Sequence, residues 1–189
     1  MKNIIHNIAE PLSTLINKSS ECGIVPDQLK ITRVCPIFKS DQTYFTNYRP
    51  ISVLPAFSKL FEKLYIVYTR QMTYLEKHSV LIENHFGFRS NRDKCLAVVD
   101  MIDKVTEKLD AYNYSLGLFI DLSKAFDTLD HAILIDKLEF CGVRGCALNW
   151  FRSYLSNRRL YVDYNGVQSS LLHIRIGVPQ DQYWDHCYF

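Results

Sequence analysis

Apolar and polar positions alternate along this chain in two distinct rhythms. Ile4, Ile5, Ile8, Leu12, Leu15 and Ile16 recur at helical spacing over residues 4–17. Gly23 and Pro26 mark a turn region between Glu21 and Gln28. Ile31–Phe38 is short, β-branched and bounded by polar residues, so it predicts a strand. Ser40–Asn47 reads as a polar loop. Helical spacing returns over Ser58–Lys77, with Leu60, Phe61, Leu64, Val67, Tyr68 and Met72 on one side. Asn91–Leu109 repeats it with the stripe Leu96, Val99, Ile102 and Val105. Ser115–Leu122 is a nearly continuous apolar run that predicts a buried strand ending in one carboxylate, Asp121. Ala132–Phe140 predicts a helix that stops near Gly142, and Cys146–Leu155 another with Trp150, Phe151 and Tyr154 as its heavy face. Leu160–Tyr164 alternates, Asn165-Gly166 follows, and Ser169–Val178 alternates loosely again. Asn-Gly between two such runs is a hairpin signal, because both turn positions need positive φ. Helices, a buried strand, more helices and a hairpin together predict an α/β or α+β domain around one central sheet.

Composition narrows this only a little. A chain of 189 residues, 48% of them hydrophobic, can bury a core and does not resemble a disordered segment. The aromatic share of 13% suits either core filling or base stacking. Net charge is +2, so any nucleic-acid surface must arise from clustering rather than bulk charge. Cys22, Cys35, Cys95, Cys141, Cys146 and Cys187 form no C-x-x-C pair, which predicts free thiols in a reducing, intracellular setting, cytoplasmic or nuclear. His6, Asn7 and Glu10 break the first residues before a secretory signal can develop, and no run reaches transmembrane length. No membrane partner is expected.

The chemistry concentrates in Leu118-Phe119-Ile120-Asp121-Leu122-Ser123-Lys124-Ala125-Phe126-Asp127-Thr128-Leu129-Asp130-His131. A carboxylate at the edge of a buried strand is costly unless compensated, and a metal ion is one usual partner. Capping of the Ser-Lys-Ala-Phe turn by Asp121 is the alternative on periodicity alone. This string closely resembles the first palm motif of reverse transcriptases from non-long-terminal-repeat (LINE-type) retrotransposons. Further blocks match in order: Ile24–Lys30, Val34–Lys39, Asn47–Pro55, Ser58–Lys63, Phe86–Ser90 and Gly177–Gln180. Together they cover nearly the whole chain up to residue 180.

The resemblance implies a right-hand polymerase: a fingers-like helical lobe over residues 1–110 and a partial palm over 111–180. It implies RNA-directed DNA polymerisation with an RNA template, a DNA primer and deoxynucleoside triphosphates as partners. Such nucleotidyl transfer rests on charge stabilisation by two Mg²⁺ ions about 4 Å apart. By family, Asp121 is the catalytic carboxylate that holds the metal, assisted by the backbone carbonyl of Leu122. Lys39 and Arg49 match positions that grip the triphosphate, one as a point charge and one as a bidentate fork. Phe126 matches the steric gate under the sugar, although it can equally pack into its own turn; Gln180 matches a residue near the nascent base pair. Arg89, Arg92 and Lys94 suit either a template backbone or a charged helix start.

The sequence also departs from the family. His85 stands where Gln usually precedes Phe-Gly-Phe-Arg, and Asp93-Lys94 where small hydroxyl residues are common. The aromatic-Ala-Asp-Asp hairpin that supplies the family's other catalytic carboxylates has no counterpart, so the expectation is a truncated and inactive domain, with Mg²⁺ bound weakly or not at all. Residues 181–189 read Asp-Gln-Tyr-Trp-Asp-His-Cys-Tyr-Phe, where the family continues Gly-Ser-Ile-Leu-Gly-Pro-Leu-Leu-Phe. Codons GGA TCA ATA TTG GGA CCA TTG CTA TTT encode the family string. With one G deleted they give the tail observed here, so the tail is expected to be out of frame. A non-enzymatic nucleic-acid-binding or interaction module derived from a retrotransposon is the alternative function.

Overall fold

The computed structural model describes residues 2–38, 47–68, 82–87, 92–122 and 125–178. The chain opens with helix α1 (Lys2–Cys22) and a 3₁₀ turn (Asp27–Lys30), then strands β1 (Ile31–Phe38) and β2 (Tyr48–Val53). Helices α2 (Ala56–Tyr68) and α3 (Lys94–Asp110) follow, then α4 (His131–Phe140) and α5 (Cys146–Leu155). Strands β3 (Arg159–Tyr164), β4 (Val167–Gln168) and β5 (Leu172–His173) close the order. The expectation of mixed helices and sheet is met.

The sheet runs β2-β1-β3-β4, with β5 also on β3. β1 pairs antiparallel with β2, Arg33 facing Val53 and Phe38 facing Tyr48. It pairs parallel with β3, Ile31 beside Arg159 and Val34 beside Val162. Segments far apart in sequence thus share one sheet across residue 110. Asn165 (φ 51) and Gly166 (φ 82) turn β3 into β4 as the Asn-Gly signal predicts. Ser169 then reaches back, its N–H donating to the Val162 carbonyl at 2.9 Å and its hydroxyl accepting from the Val162 N–H at 2.9 Å. β2 is the strand that the sequence pattern did not predict: Pro50 and the half-buried pattern blur its alternation.

The core gathers on α5. Trp150 is fully buried; its ring stacks on Phe61 of α2 at 6.3 Å and on Tyr154 at 5.4 Å, and meets Phe151 edge-on at 5.9 Å. Leu134, Leu138, Val143, Leu148 and Val178 fill the space around them. The Trp150 indole N–H donates to the Ser19 hydroxyl at 2.9 Å, which ties α1 to α5. Gly23 lets the chain leave α1 this close to α5: it holds φ +65, and a Cβ there would meet the Cys146 carbonyl oxygen at 2.8 Å. Two helix starts are set by carboxylates. Asp93 accepts from the Leu96 N–H at 2.8 Å to cap α3, and Asp130 accepts from Ala132 and Ile133 at 2.7 and 3.2 Å to cap α4.

Two expectations change. Ser115–Leu122 is not a buried strand: residues 113–122 lie in irregular backbone and are exposed throughout, Phe119 at 80% and Ile120 at 75%. A strand exists only through a hydrogen-bonded neighbour. Among the described residues none pairs with this run, so its apolar pattern signals burial that nothing described supplies. The apolar stripe of α3 has the same fate, with Leu96, Val99, Ile102 and Val105 exposed and no residue of the helix buried. The outer half of the expected Ser58–Lys77 helix and the Ser40–Thr46 loop lie outside the described residues. The five described cysteines are free thiols, and among the described residues no helix is long and apolar enough to cross a membrane.

Replacing Trp150 with Ala should cost about 3–5 kcal/mol, the range for emptying a large aromatic core site. The midpoint of urea unfolding followed by circular dichroism checks it; a loss below about 1 kcal/mol would mean that α5 is not the centre of the core.

Candidate functional site

The region around the palm-like motif is built from backbone. The loop Ala125–Asp130 runs beside residues 176–178. The Gly177 N–H donates to the Leu129 carbonyl at 2.7 Å and the Val178 N–H to the Phe126 carbonyl at 2.8 Å. Asp130 and Ile176 form an isolated antiparallel bridge. The His131 Nε2–H donates to the Gly177 carbonyl at 2.7 Å, which fixes the imidazole with its proton on that nitrogen. Gly177 has φ +83, and a Cβ would stand 2.7 Å from the Asp127 carbonyl oxygen. Glycine is therefore required where the two motif strings cross. The Phe126 ring is half-buried and packs against the core cluster, the packing alternative that its position allowed.

Asp121 and Leu122 sit at the exposed end of the 113–122 segment, Leu122 at 65%. Among the described residues no hydrogen bond or ion pair holds the Asp121 carboxylate. Arg49 is exposed on the edge strand β2, opposite Ile37. Lys39, Gln180, Arg89 and the tail 181–189 lie outside the described residues. Arg92 does not project freely: its guanidinium lies 5.4 Å over the Phe86 ring and donates to the Glu83 carbonyl. Lys94 opens α3 and is exposed.

Mg²⁺ asks for oxygen donors in near-octahedral array, usually one or two carboxylates plus substrate phosphates. Among the described residues no group of three His, Cys, Asp or Glu side chains could hold a metal ion. Asp130, the last carboxylate of the motif, is committed to its cap. The described residues thus do not make a complete two-ion site.

A second polar cluster was not anticipated. Glu62 on α2 is buried and accepts from the Tyr154 hydroxyl. The guanidinium of Arg158, fully buried between α5 and β3, lies 4.6 Å over the Tyr154 ring and donates through Nη2 to the Thr32 hydroxyl of β1 at 3.2 Å. Burial pushes the Glu62 carboxyl up to about 7, against the opposing pull of the Tyr154 hydrogen bond and the Arg158 charge. Burial also drives the Tyr154 phenol up. The signal was available in the Ser58–Lys63 block, but polar residues inside an apolar pattern read as a solvated face.

These features frame the comparisons. Residues 37–180 match the family model described as reverse transcriptase (RNA-dependent DNA polymerase), and the chain belongs to this family. It is 31% identical over 134 residues to the Drosophila melanogaster protein named "Probable RNA-directed DNA polymerase from transposon X-element", covering 71% of this chain and 14% of that one. To the RNA-directed DNA polymerase from mobile element jockey of the same fly it is 28% identical over 171 residues, covering 89% of this chain and 18% of the relative. To the "Probable RNA-directed DNA polymerase from transposon BS" it is 29% identical over 177 residues, again 89% and 18%. The chain therefore spans 14% to 18% of the length of these relatives. The family match ends at residue 180.

Two outcomes follow from this geometry. Gly177→Ala should destabilise by roughly 2 kcal/mol or more, because a left-handed alanine and a backbone clash add. Gly145→Ala, at φ +62 with open space around its Cβ among the described residues, should cost less. Equal shifts in thermal melts would refute the clash. Because burial raises the folded Glu62 carboxyl to about 7, well above the ordinary glutamate range, folding favours its protonated form. That contribution is complete below about pH 4.5 and is lost as pH rises through about 7, on the order of 3 kcal/mol at most. Unfolding free energies of wild type and Glu62→Gln between pH 5 and 8 should therefore diverge, the wild type falling and the variant staying flatter.

Proposed function

We propose that this chain is the fingers and the first part of the palm of an RNA-directed DNA polymerase, and that alone it does not extend a primer. The family match over residues 37–180 carries the first half of this reading. The second is supported by the lack, among the described residues, of any group of three His, Cys, Asp or Glu side chains able to hold a metal, since two-ion phosphoryl transfer needs acids grouped around the ions. Residues up to about 110 form the fingers-like lobe and 111–180 the partial palm. The parent element is of the LINE type, its template RNA and its primer DNA.

In the intact polymerase Asp121 and the Leu122 carbonyl would hold Mg²⁺, which would supply charge neutralisation for the phosphoryl group being transferred. Lys39 and Arg49 bind the triphosphate of the incoming nucleotide, the arginine through its paired N–H donors. Phe126 sits under the sugar and excludes a 2′-hydroxyl. Its half-buried ring suits the task, because a gate must be rigid to reject one oxygen atom. Gln180 lies beside the new base pair.

Primer extension tests this directly. The chain alone, with Mg²⁺ or Mn²⁺, should add no nucleotide; extension abolished by Asp121→Ala would overturn the inactivity. A chimaera in which residues 37–178 replace the matching segment of the jockey polymerase should extend a primer on RNA. Asp121→Ala in it should cut the rate by at least about 10³-fold, the scale of losing one preorganised electrostatic contact. An inactive but folded chimaera would refute the polymerase reading.

A further inference from the structure

We infer that α3 is a self-association surface: two copies of this chain pair their α3 helices in parallel through the seam Cys95, Val98, Ile102, Val105 and Leu109. The inference rests on this helix and its surroundings and does not depend on the polymerase reading.

The seam residues recur at alternating intervals of three and four, the repeat that keeps one stripe of a helix facing a partner helix. All of them are exposed, Val98 and Ile102 each at 52%. Among the described residues the helix is held on its opposite face. There Lys104 donates to the Asn84 Oδ1 at 3.5 Å and pairs with Asp100 at 2.6 Å. Thr106 borders the seam, and its hydroxyl is committed to the Ile102 carbonyl at 2.9 Å, so it brings no unsatisfied donor to an apolar contact. With its start capped by Asp93, α3 is a rod of 17 residues, about 25 Å long, that is ordered before any partner arrives.

Area and charge choose a second copy as the occupant. At about 200 Å² for a fully exposed large apolar side chain, the apolar residues of α3 leave roughly 600 Å² in water. A stable pair covers about 800 Å² on each partner, so the helices alone supply most of what a dimer needs. The exposed run from Leu116 to Leu122 adds roughly as much again. It follows α3 within a few residues, so in a parallel pair the two runs leave the same end together. Direction follows from the flanks. At about 3.6 residues per turn, Lys94 and Lys108 border the seam on one side, and Asp103 and Asp110 on the other. A parallel twofold pair sets lysines against aspartates; an antiparallel twofold pair sets each flank against its own kind. Lys108 is held only loosely within its own chain, 3.8 Å from Glu107. Parallel pairing also puts Cys95 in the same layer as the Cys95 of the other copy.

Sedimentation velocity of the full chain under reducing conditions tests this, from about 1 to about 100 µM. Wild type should pass from monomer to dimer over this range and go no further. Ile102→Glu places a carboxylate in the seam and should weaken dimerisation about tenfold or more. Ile102→Leu should stay near wild type. Ile102 is exposed in the single chain, so neither change disturbs the core; a thermal melt of each variant checks the fold. Phe140→Glu makes the same kind of change at a residue 93% exposed on α4 and should leave dimerisation as it is. Oxidised glutathione reads the direction. Two Cys95 thiols give it two electrons and two protons, join as one disulfide and release two molecules of reduced glutathione. A covalent dimer should appear on a non-reducing gel, with its linked peptides mapping to Cys95 in both copies. Cys95→Ser should lose that Cys95-linked dimer and still sediment as a dimer. A monomer at every concentration, growth beyond the dimer, equal responses to Ile102→Glu and Phe140→Glu, or a dimer that Cys95 does not cross-link would each overturn the assignment.

Discussion

The burial of Arg158 constrains most of what surrounds it. A guanidinium with no exposed surface must be offset by groups that face it, because its charge cannot be removed at any ordinary pH. Three elements contribute: the Tyr154 ring from α5, Thr32 from β1, and the nearby Glu62 of α2. The residue also sits at the corner where α5 ends and β3 begins, so β3 can lie beside β1 only if this corner is formed. Its backbone carbonyl accepts from the Ile174 N–H at 2.9 Å and positions the returning chain next to β5. Removing one member of such a cluster costs more than its net worth, since the survivor keeps its desolvation without its partner.

The aromatic stack extends that constraint to the remaining helices. Trp150 and Tyr154 lie one turn apart on α5 and stack nearly parallel, and Phe61 stacks on Trp150 as well. Phe61 and Glu62 are neighbours in α2, so one turn of helix delivers an apolar ring to the core and a carboxyl to the Tyr154 hydroxyl. The raised affinity of Glu62 for its proton is the electrostatic cost of that location. The same turn carries the Ser-Lys-Leu-Phe-Glu-Lys string of the family resemblance, which gives that block a structural reason.

What was legible in the sequence follows from locality. The bounds of β1 and α5 and the Asn165-Gly166 turn depend on near neighbours, and their patterns predicted them. The heavy face of α5 was equally clear, because Trp150, Phe151 and Tyr154 have no other use on one helix side. The missed features are those that need a distant partner. The Glu62–Tyr154–Arg158 cluster joins residues far apart in sequence, and Gly177 reads only as the start of a motif block until Asp127 is seen beside it. Ser115–Leu122 failed for the complementary reason: its composition declares a buried strand, but a strand is a property of a pair. The candidate site was legible only through its motif strings. Neither periodicity nor charge singled out Asp121, Arg49 or Phe126.

That contrast bears on how the site works. Among the described residues the motif around Asp121 is anchored at one end only. From Phe126 onward it is held by two backbone hydrogen bonds to residues 177 and 178, by the Asp130 cap and by the imidazole of His131. Before it, from Tyr114 to Leu122, no described hydrogen bond or core contact fixes the chain. Catalytic constellations need placement to about 0.5 Å, supplied by rigid elements and a supporting layer of contacts. On the proposed reading Asp121 is the metal-holding carboxylate, and among the described residues no ladder fixes its backbone. The proposed inactivity then has two separable causes, too few acids and too little support. They differ in remedy: added carboxylates would answer the first, whereas only a strand paired to Ser115–Leu122 would answer the second. A paired strand would also cover Leu118 and Ile120, which now face solvent at 82% and 75%. Burying those side chains and building the site are therefore the same event, driven by hydrophobic area and completed by backbone hydrogen bonds.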